Sequence, residues 1–429
     1  MELLLKTGQF LLMISILVIL HEFGHYIPAK LFKTKVEKFF LFFDVKFALF
    51  KKKIGDTTWG IGWLPLGGYV KIAGMIDESM DREQMAKPAQ PWEFRSKPAW
   101  QRLIIMCGGV IVNFLLGWLI FVGVVFKHGD NFVPVTKDTP VQYDSIAKVI
   151  GFKDKDVLLS VDGESIDRIQ EARIEILLGD QAKVLRDGQE VDINFSSEHK
   201  KMLLSLQPGI IYPVVAPYVD FVAPDSHAQE IGLKAGDLIT SFDGQQVSSW
   251  TQLVELIQSM NTGKIGVQFQ RNGQFFDKEI NFSKGDILGV RVDYNKIMHT
   301  ENFSFLESFG AGYHKAVSTL SLQIRQFKLI FNRDTGAYKQ LHGPVGIIKQ
   351  TPLSESISEF LLRMAVFSIW LGFVNILPIP ALDGGHVMFL IYEMIVGRKP
   401  SQKVLELAQV IGFFLMIGLM LAITVFNDL

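Results

Sequence analysis

Four long apolar stretches alternate with polar segments along the chain. They cover residues 10–29, 103–126, 360–377 and 404–426. About 20 apolar residues are needed to cross the ~30 Å hydrocarbon core of a bilayer. Each stretch is close to that length, so the pattern predicts four transmembrane helices.

The polar region between the second and third stretches contains an internal repeat. Residues 150–163 (IGFKDKDVLLSVDG) recur as residues 231–244 (IGLKAGDLITSFDG). Each copy is followed by a helical stretch and a hairpin, whose turn is Asp187 or Asn272 followed by glycine; such pairs are strong two-residue turn signals. Matched elements in the same order predict two copies of one small α+β domain.

Two further patterns lie outside the four spans. Segment 36–72 is rich in aromatic and β-branched residues, which favours a small β-sheet. In segment 302–331, apolar residues recur every three or four positions from Leu306 to Phe331, which predicts a helix with one apolar face. That helix could lie on the membrane surface, and packing against the repeats is the alternative.

Basic residues predict how the spans are oriented, because cytoplasmic loops carry an excess of lysine and arginine. Such residues cluster after the first span, before the second, and between the third and fourth: Lys33, Lys35, Lys38, Lys51, Lys52, Lys53, Arg95, Lys97, Arg102, Arg398, Lys399 and Lys403. Loops 32–102 and 395–403 are therefore predicted to be cytoplasmic. Segment 127–355 and both termini are predicted to face outward.

Composition agrees with a membrane protein and excludes two classes of function. Hydrophobic residues make up 48% of the 429 residues, and the mean hydropathy is +0.25, which is high for a soluble protein. The chain has 43 Lys and Arg and 44 Asp and Glu, so its net charge gives no overall electrostatic attraction to nucleic acid. Cys107 is the one cysteine, which excludes an intramolecular disulfide framework and a cysteine-rich zinc site.

The first span contains the motif H-E-x-x-H at residues 21–25. His21 and His25 are four residues apart and share a helix face, so both imidazoles can reach one zinc ion, with Glu22 beside it as general base. Ionisable side chains inside a membrane span are costly and are by default functional. A pair of buried structural histidines is the alternative interpretation.

A third zinc ligand must come from elsewhere, because catalytic zinc usually takes three protein ligands. After the third span, Pro378 and Pro380 prevent a regular helix from continuing. Irregular backbone at membrane depth is tolerated only where it is buried in protein or lines a watery cavity. Asp383 is the candidate ligand in this stretch, and His386 is its rival.

Together these motifs resemble the bacterial site-2 proteases, intramembrane zinc metalloproteases of the sigma-E-regulating type. The matching pieces, in chain order, are residues 21–25, residues 63–71, Gly108-Gly109 with Asn113, Gly343-Pro344, and residues 375–386. The resemblance covers essentially the whole chain. One departure is Val110, where the family often has proline.

The resemblance implies roles for individual residues. His21, His25 and Asp383 would bind Zn²⁺, and Glu22 would be catalytic. Asn375 would clamp the substrate backbone, with Pro378 and Pro380 beside it. Segment 36–72 would form a membrane-dipping β-loop whose edge, with Gly67, Gly68 and Tyr69, pairs with the unwound substrate; a plain cytoplasmic sheet is the alternative.

The repeats resemble bacterial PDZ domains through the pattern Gly-Leu-Lys-Ala-Gly-Asp at 232–237. The first copy departs from that pattern at Asp154 and Lys155. PDZ grooves bind peptide ends by adding a strand to a sheet edge. The alternative is that these domains act as spacers or steric filters with empty grooves.

The expected fold is an α-helical membrane protein with four transmembrane helices, a membrane-associated β-loop and two extracytoplasmic tandem PDZ-like α+β domains. The expected order is transmembrane helix 1 (1–32), the β-loop region (33–102), transmembrane helix 2 (103–127), a first PDZ-like domain (128–208), a second (209–285), an amphipathic membrane-associated helical segment (286–355), transmembrane helix 3 with the LDGGH region (356–397) and transmembrane helix 4 (398–429).

The expected function is zinc-dependent hydrolysis of peptide bonds within or near the transmembrane segment of single-span membrane proteins. Anti-sigma factors and remnant signal peptides are the expected substrates, with the PDZ-like pair gating access. The expected location is the bacterial inner membrane, with these domains in the periplasm; membrane lipid is an expected partner and nucleic acid is not. A catalytically inactive PDZ scaffold and a metal or proton transporter are the rival functions.

Overall fold

The long apolar stretches of the sequence fold as long helices. The computed structural model of the protein describes residues 2–65, 67–75, 88–136, 139–205 and 210–428. Its α-helices are α1 (Glu2–Leu31), α2 (Ala99–His128), α3 (Ser145–Ile150), α4 (Ile169–Leu178), α5 (Ser197–Ser205), α6 (His227–Glu230), α7 (Trp250–Ser259), α8 (Phe305–Phe331), α9 (Pro344–Gln350), α10 (Ile357–Ile376), α11 (Asp383–Val396) and α12 (Gln402–Ile423). Helices α1, α2, α10 and α12 are long and apolar enough to cross a membrane, so each of the four predicted stretches forms a candidate membrane helix.

The strands belong to the β-loop region and to the repeats. They are β1 (Val36–Leu41), β2 (Phe43–Ile54), β3 (Thr57–Leu64), β4 (Tyr69–Ile72), β5 (Asp130–Phe132), β6 (Val141–Tyr143), β7 (Val157–Val161), β8 (Glu164–Ser165), β9 (Gln181–Arg186), β10 (Gln189–Asn194), β11 (Ile211–Pro213), β12 (Val219–Val222), β13 (Leu238–Phe242), β14 (Gln245–Gln246), β15 (Gly263–Arg271), β16 (Gln274–Phe282), β17 (Val290–Val292) and β18 (His299–Glu301). The predicted sheet in segment 36–72 is therefore present.

The chain divides into two units, each with its own packing. The first, here called the membrane unit, comprises Met1–Gly129, Asn302–Lys328 and Tyr338–Leu429. The second, here called the repeat unit, comprises Asp130–Glu301 and Leu329–Ala337.

Helices α1 and α2 meet backbone to backbone at a pair of glycines. A Cβ atom on Gly108 would lie 1.9 Å from the carbonyl oxygen of Gly24, and a Cβ on Gly24 would lie 2.4 Å from the carbonyl oxygen of Gly108. No larger residue fits at either position, since such contacts are shorter than any real Cβ contact. The crossing brings the HExxH turn of α1 directly against α2.

The β-loop sheet has the strand order β2-β3-β1-β4. Strands β1 and β3 run parallel, while β4 pairs antiparallel with β1. The inner part of the sheet is buried at Val36, Phe40 and Ile72. The β2–β3 hairpin instead leaves apolar side chains exposed, with the rings of Phe47 and Trp63 stacked 5.8 Å apart.

Most of helix α8, up to Lys328, belongs to the membrane unit, and its last residues, from Leu329, belong to the repeat unit. Its buried positions are Ser308, Gly312, Ala316 and Gln323 rather than the apolar face seen in the sequence. A Cβ on Gly312 would lie 2.7 Å from the Val122 side chain of α2, so small residues set this close approach. The predicted apolar face is exposed at Leu306, Tyr313, Val317, Ile324 and Phe331.

Within the repeat unit, the two copies have the same sheet. Their strand orders are β10-β9-β7-β8 and β14-β13-β15-β16, which are the same arrangement listed from opposite edges. Both hairpin turns adopt positive φ at their two central residues, at Asp187-Gly188 and at Asn272-Gly273. The predicted hairpins are therefore confirmed, with the left-handed turn conformation that these dipeptides favour.

The two copies also share a buried ion pair. Arg186 donates two hydrogen bonds to Asp156, at 2.8 and 2.6 Å, and a third to the Gly151 carbonyl. Arg271 donates to Asp237 at 2.6 and 2.7 Å and to the Gly232 carbonyl in the same way. Because these residues occupy matched positions, the first copy keeps the fold of the second despite its departures at 154 and 155.

Replacing Asp237 with asparagine is expected to destabilise the repeat unit by about 2–3 kcal/mol, because it leaves the Arg271 charge without its buried partner. The check is a urea titration of the full chain, in which limited proteolysis at each urea concentration measures how much of the repeat unit is unfolded. The matched control is Glu279→Gln in the same sheet, whose pair with Lys264 is exposed on both sides and is worth less than about 1 kcal/mol. Equal effects of the two substitutions would contradict the prediction.

The structure corrects two of the domain boundaries expected from sequence. Strand β11 pairs with β6, so the first repeat extends to residue 213 rather than 208. Strand β17 pairs with β12, so the second copy continues past residue 285. Strand β18, which follows β17 in the chain, pairs with β5. Segment 286–355 thus begins with strands rather than with the expected helix. These pairings join residues far apart in sequence, which no local pattern reveals; parts of the expected regions, at 76–87 and 206–209, lie outside the described residues.

Candidate metal centre

Helix α1 presents the two histidines of the HExxH motif to the glycine-rich part of α2. Their side chains are buried, with each residue 7% exposed. A Cβ on Gly109 would lie 2.5 Å from Nε2 of His25 and 2.6 Å from Cε1 of His21, so only glycine leaves room for both rings. The sequence Gly108-Gly109 therefore serves both the helix crossing and the histidine pair.

Asp383 joins these histidines from the other end of the chain. It is the first residue of α11, which follows the irregular segment 377–382. Its Oδ2 lies 3.2 Å from Nε2 of His21 and 3.3 Å from Nε2 of His25. The two Nε2 atoms are 3.3 Å apart. The three candidate ligands thus place one atom each at a common point.

The three atoms fit a small divalent cation. Ligand atoms about 2.0–2.1 Å from a tetrahedral zinc ion lie about 3.3–3.4 Å apart, which matches the observed separations. Oδ2 of Asp383 is buried and accepts no hydrogen bond from any described residue. A buried carboxylate oxygen without a partner is costly, and a bound cation would satisfy it. Two imidazoles and one carboxylate form a donor set that suits zinc.

The other ring nitrogens of both histidines have partners on α2. Nδ1 of His25 lies 2.8 Å from the carbonyl oxygen of Ile105, and Nδ1 of His21 lies 2.9 Å from the side-chain amide of Asn113. Metal-binding histidines typically have such outer partners, which fix the ring orientation. Sequence reasoning noted Asn113 only as part of the family pattern; its signal is a polar residue inside a span that has no acids or bases.

Glu22 lies beside the three candidate ligands and against the β-loop. The backbone N–H of Val70 in β4 lies near the Glu22 carboxylate. A Cβ on Gly68 would lie 3.4 Å from Cγ of Glu22, 2.6 Å from Val18 and 2.8 Å from the Phe40 carbonyl oxygen. The β-loop therefore touches the candidate general base through its backbone.

Asn375 is at the edge of the same site. Its Nδ2 lies 3.4 Å from Nε2 of His21, although the residue is near the end of α10 and 354 positions away in sequence. Pro378 is exposed, whereas Pro380 is partly buried. A Cβ on Gly412 would lie 2.1 Å from the Pro380 carbonyl oxygen, so α12 packs tightly on the irregular segment. Of the predicted substrate-binding residues of this segment, Asn375 thus lies next to a candidate metal ligand.

His386 is directed to a different partner. Its Nε2 lies 2.8 Å from Nε2 of Gln409 in α12, and Oε1 of the same glutamine accepts a 2.6 Å hydrogen bond from the Ala381 N–H. Among the described residues, the cluster able to hold a metal contains Asp383 and not His386. Gln409, which sequence reasoning missed, links the last span to the segment on both sides of Asp383.

The side chain of Tyr69 belongs to the sheet rather than to the metal centre. Its hydroxyl donates a 2.7 Å hydrogen bond to Asp44, and its ring stacks on Phe40 and Phe43. Burial alone would raise the pKa of Asp44, but the Tyr69 hydroxyl and the Lys38 ammonium hold it below its usual value. Gly67 has a φ of 142°, which favours glycine before Gly68 brings the chain to Glu22.

Replacing Gly68 with alanine is expected to lower peptidase activity about 100-fold, because the added methyl group would displace β4 from Glu22 by a fraction of an ångström or more. Zinc content should not change, since the three atoms nearest to the added methyl group belong to Val18, Phe40 and Glu22 rather than to the candidate ligands. The check is a cleavage assay with metal analysis of the same sample. Gly266→Ala in β15, where a Cβ meets nothing within 4 Å, is the matched control; an equal loss there would contradict the prediction.

The chain resembles known peptidases over nearly its whole length. The model of peptidase family M50 matches residues 9–419. The regulator of sigma-E protease RseP of Escherichia coli strain K12 is 27% identical over 452 residues, covering 98% of this chain and 97% of the relative. A protein of Neisseria meningitidis that is named as a zinc metalloprotease is 30% identical over 453 residues, covering 98% of this chain and 97% of the relative.

A solved structure matches a small part of the chain. The PDZ domain of an SdrC-like protein from Listeria monocytogenes covers 19% of this chain and 92% of that domain, at 23% identity and a TM-score of 0.17. That score is too low to support an argument about the fold. The likeness of the two copies to each other rests instead on their shared sheets, turns and ion pairs.

Proposed function

The chain belongs to peptidase family M50, and from that premise we propose that this membrane-bound zinc metalloprotease cuts peptide bonds inside or near the transmembrane segments of single-span membrane proteins. The observation that carries the proposal is the convergence of His21, His25 and Asp383 on one point. Two of these residues are buried in a helix long enough to cross a bilayer. We assign the zinc ion to these three residues.

Zinc, when bound there, polarises the scissile carbonyl and acidifies water. Glu22 takes a proton from the attacking water and passes it to the leaving amine. The Val70 N–H lies near the Glu22 carboxylate and would help to orient it for both transfers. Asn375 lies close enough to the site to bind a backbone group of the substrate.

A substrate helix must unwind before it can be cut, and in lipid its released backbone groups need new partners. Strand β4 is an edge strand of the β-loop sheet, and its Val70 contacts Glu22. We assign the unwound substrate to this edge, so that strand pairing presents the scissile bond next to the general base. Gly67, Gly68 and Tyr69 begin that edge.

The exposed side chains of the β2–β3 hairpin are evidence that the β-loop region dips into the membrane. Val45, Phe47, Leu49, Phe50 and Trp63 are exposed on it. Contiguous exposed apolar surface marks contact with a membrane or another protein. Three consecutive lysines, at 51–53, precede the turn of the hairpin and suit the phosphate groups at a bilayer surface.

The proposed substrate class, cellular location and control of substrate access by the repeats, here called the gate, all rest on the resemblance to known proteases. The relative from E. coli is named as a regulator of sigma-E protease. We propose anti-sigma-like proteins and remnant signal peptides as substrates, in the bacterial inner membrane, with the PDZ-like repeats in the periplasm. The repeats would exclude substrates that still carry a bulky outer domain.

The deciding experiment uses the purified full chain in detergent with single-span membrane peptides. Cleavage is expected, with loss on chelation and recovery on addition of Zn²⁺. Absence of cleavage with zinc bound would overturn the proposal. Zinc flux into sealed vesicles without cleavage would instead indicate the transporter.

The gate is tested by excising residues 133–298. Phe132 and His299 are paired across β5 and β18, so a short linker can join the cut ends. The shortened protein is expected to cut a substrate that keeps its bulky outer domain, which the full chain should leave uncut. If both proteins leave that substrate uncut, the gating proposal fails while the peptidase proposal stands.

A further inference from the structure

We infer that Asn113 is a positioning residue that selects the tautomer of His21 through its side-chain carbonyl and thereby sets the affinity of the site for zinc. The inference rests on the proposed zinc centre. It assigns a role to a residue that is neither a ligand nor a catalytic group.

Asn113 occupies a fully enclosed place between two spans. It is 0% exposed and lies one helical turn after Gly109, on the side of α2 that faces the histidines. Its side-chain amide lies 2.9 Å from Nδ1 of His21, and its backbone carbonyl accepts a 2.7 Å hydrogen bond from Ser368 of α10. Both ends of the residue are therefore fixed.

The side-chain oxygen of Asn113 is buried and has no hydrogen-bond partner among the described residues. In this amide orientation the NH₂ group faces the imidazole and the oxygen has no hydrogen-bond partner among the described residues. A buried acceptor left unpaired costs about 1–3 kcal/mol. The oxygen and nitrogen of an amide have nearly the same size, so their assignment follows from the hydrogen-bond network rather than from shape.

The chemistry of the ring decides the orientation. An NH₂ donor at Nδ1 needs a lone pair there, which puts the proton of a neutral imidazole on Nε2. Nε2 is the nitrogen that faces Asp383 and His25, and it must keep its lone pair to bind a metal. The amide therefore presents its oxygen to His21, which donates from Nδ1. The oxygen then has a partner and the NH₂ group takes the unpartnered place, so it is the lone pair required on Nε2 that decides the orientation.

His25 shows the same arrangement with a backbone group. Its Nδ1 faces the carbonyl oxygen of Ile105, which can only accept, so the ring proton lies on Nδ1 and Nε2 is available to a metal. Asn113 is thus the side-chain equivalent of the Ile105 carbonyl. The site then has two imidazoles with matched tautomers before any metal binds, which removes a reorganisation step from binding.

The test compares Asn113→Leu with Asn113→Asp in the full chain in detergent. Leucine has a similar shape but no acceptor. The zinc affinity of the Asn113→Leu protein, measured by competition with a chromogenic chelator, is expected to fall about 10–100-fold. Aspartate keeps an acceptor, as in the carboxylate–histidine–zinc triads, so its affinity should stay within about threefold of the original protein. The visible spectrum of the cobalt-substituted protein gives a second readout of the ligand geometry, which should change only with leucine.

Each outcome decides the matter. Unchanged affinity in Asn113→Leu overturns the inference, and so does an equal loss in both variants, because packing alone would then explain it. Where the leucine variant does not fold, Asn113→Asp decides by itself, and loss of zinc there overturns the inference. Failure of the original protein to bind zinc would instead overturn the proposed function.

Discussion

Glu22→Gln is expected to abolish peptide hydrolysis while zinc remains bound. Glutamine has nearly the same shape as glutamate and keeps a carbonyl oxygen near the Val70 N–H, but it cannot take a proton from water at neutral pH. Removing a general base costs about 10²–10⁴-fold in rate. The three candidate ligands, His21, His25 and Asp383, are untouched, so the zinc content should equal that of the unaltered protein.

The measurement pairs a cleavage assay on a single-span peptide with metal analysis of the same preparation. Glu279→Gln, on an exposed strand of the repeat unit, is the control for the substitution itself and should cut at the normal rate. Full cleavage by Glu22→Gln would rule out Glu22 as the base. A scaffold that acts only by binding would be indifferent to the change.

Asp383→Asn is expected to remove both zinc binding and activity. The substitution leaves a neutral amide where a buried carboxylate oxygen meets two imidazoles. Loss of an outer partner of a metal ligand costs about 10–100-fold in affinity, and loss of a ligand itself should cost more. The measurement is competition for zinc with a chelator of known affinity, followed by the cleavage assay.

His386→Gln is the matched control, because His386 lies one helical turn beyond Asp383 and is its rival as a ligand. Its ring nitrogen faces Gln409 rather than the other two histidines. Zinc affinity should therefore stay near its original value. If zinc is lost from the His386 variant and kept by Asp383→Asn, the assignment of the third ligand is wrong.

Local patterns in the sequence account for much of the fold. The four spans follow from the length of apolar runs, and the repeat hairpins follow from Asp187-Gly188 and Asn272-Gly273, whose φ angles are set by neighbouring atoms. His21 and His25 share a face because of helix geometry alone. Each of these features depends on residues within a few positions of one another, which a single sequence contains in full.

Helix α8 shows where a local pattern is insufficient. Its apolar periodicity correctly predicts a helix, yet its closest approach to α2 is at Gly312, and much of the apolar face is exposed although Phe309 contacts Trp118 of α2. An apolar face avoids water, but protein and lipid satisfy that need equally. Periodicity therefore identifies the face that avoids water without identifying its neighbour.

By itself, the sequence determined the number of spans, the duplicated domain and the chemical types gathered for metal binding. Only the tertiary structure decided that Asp383 rather than His386 meets the histidines, that Asn113 supports His21, and that β4 reaches Glu22. The physical reason is range: helix and turn preferences act over one or two turns of chain. Which side chains meet across hundreds of residues depends on how closely the helices approach, and here glycines at the α1–α2 crossing set that distance.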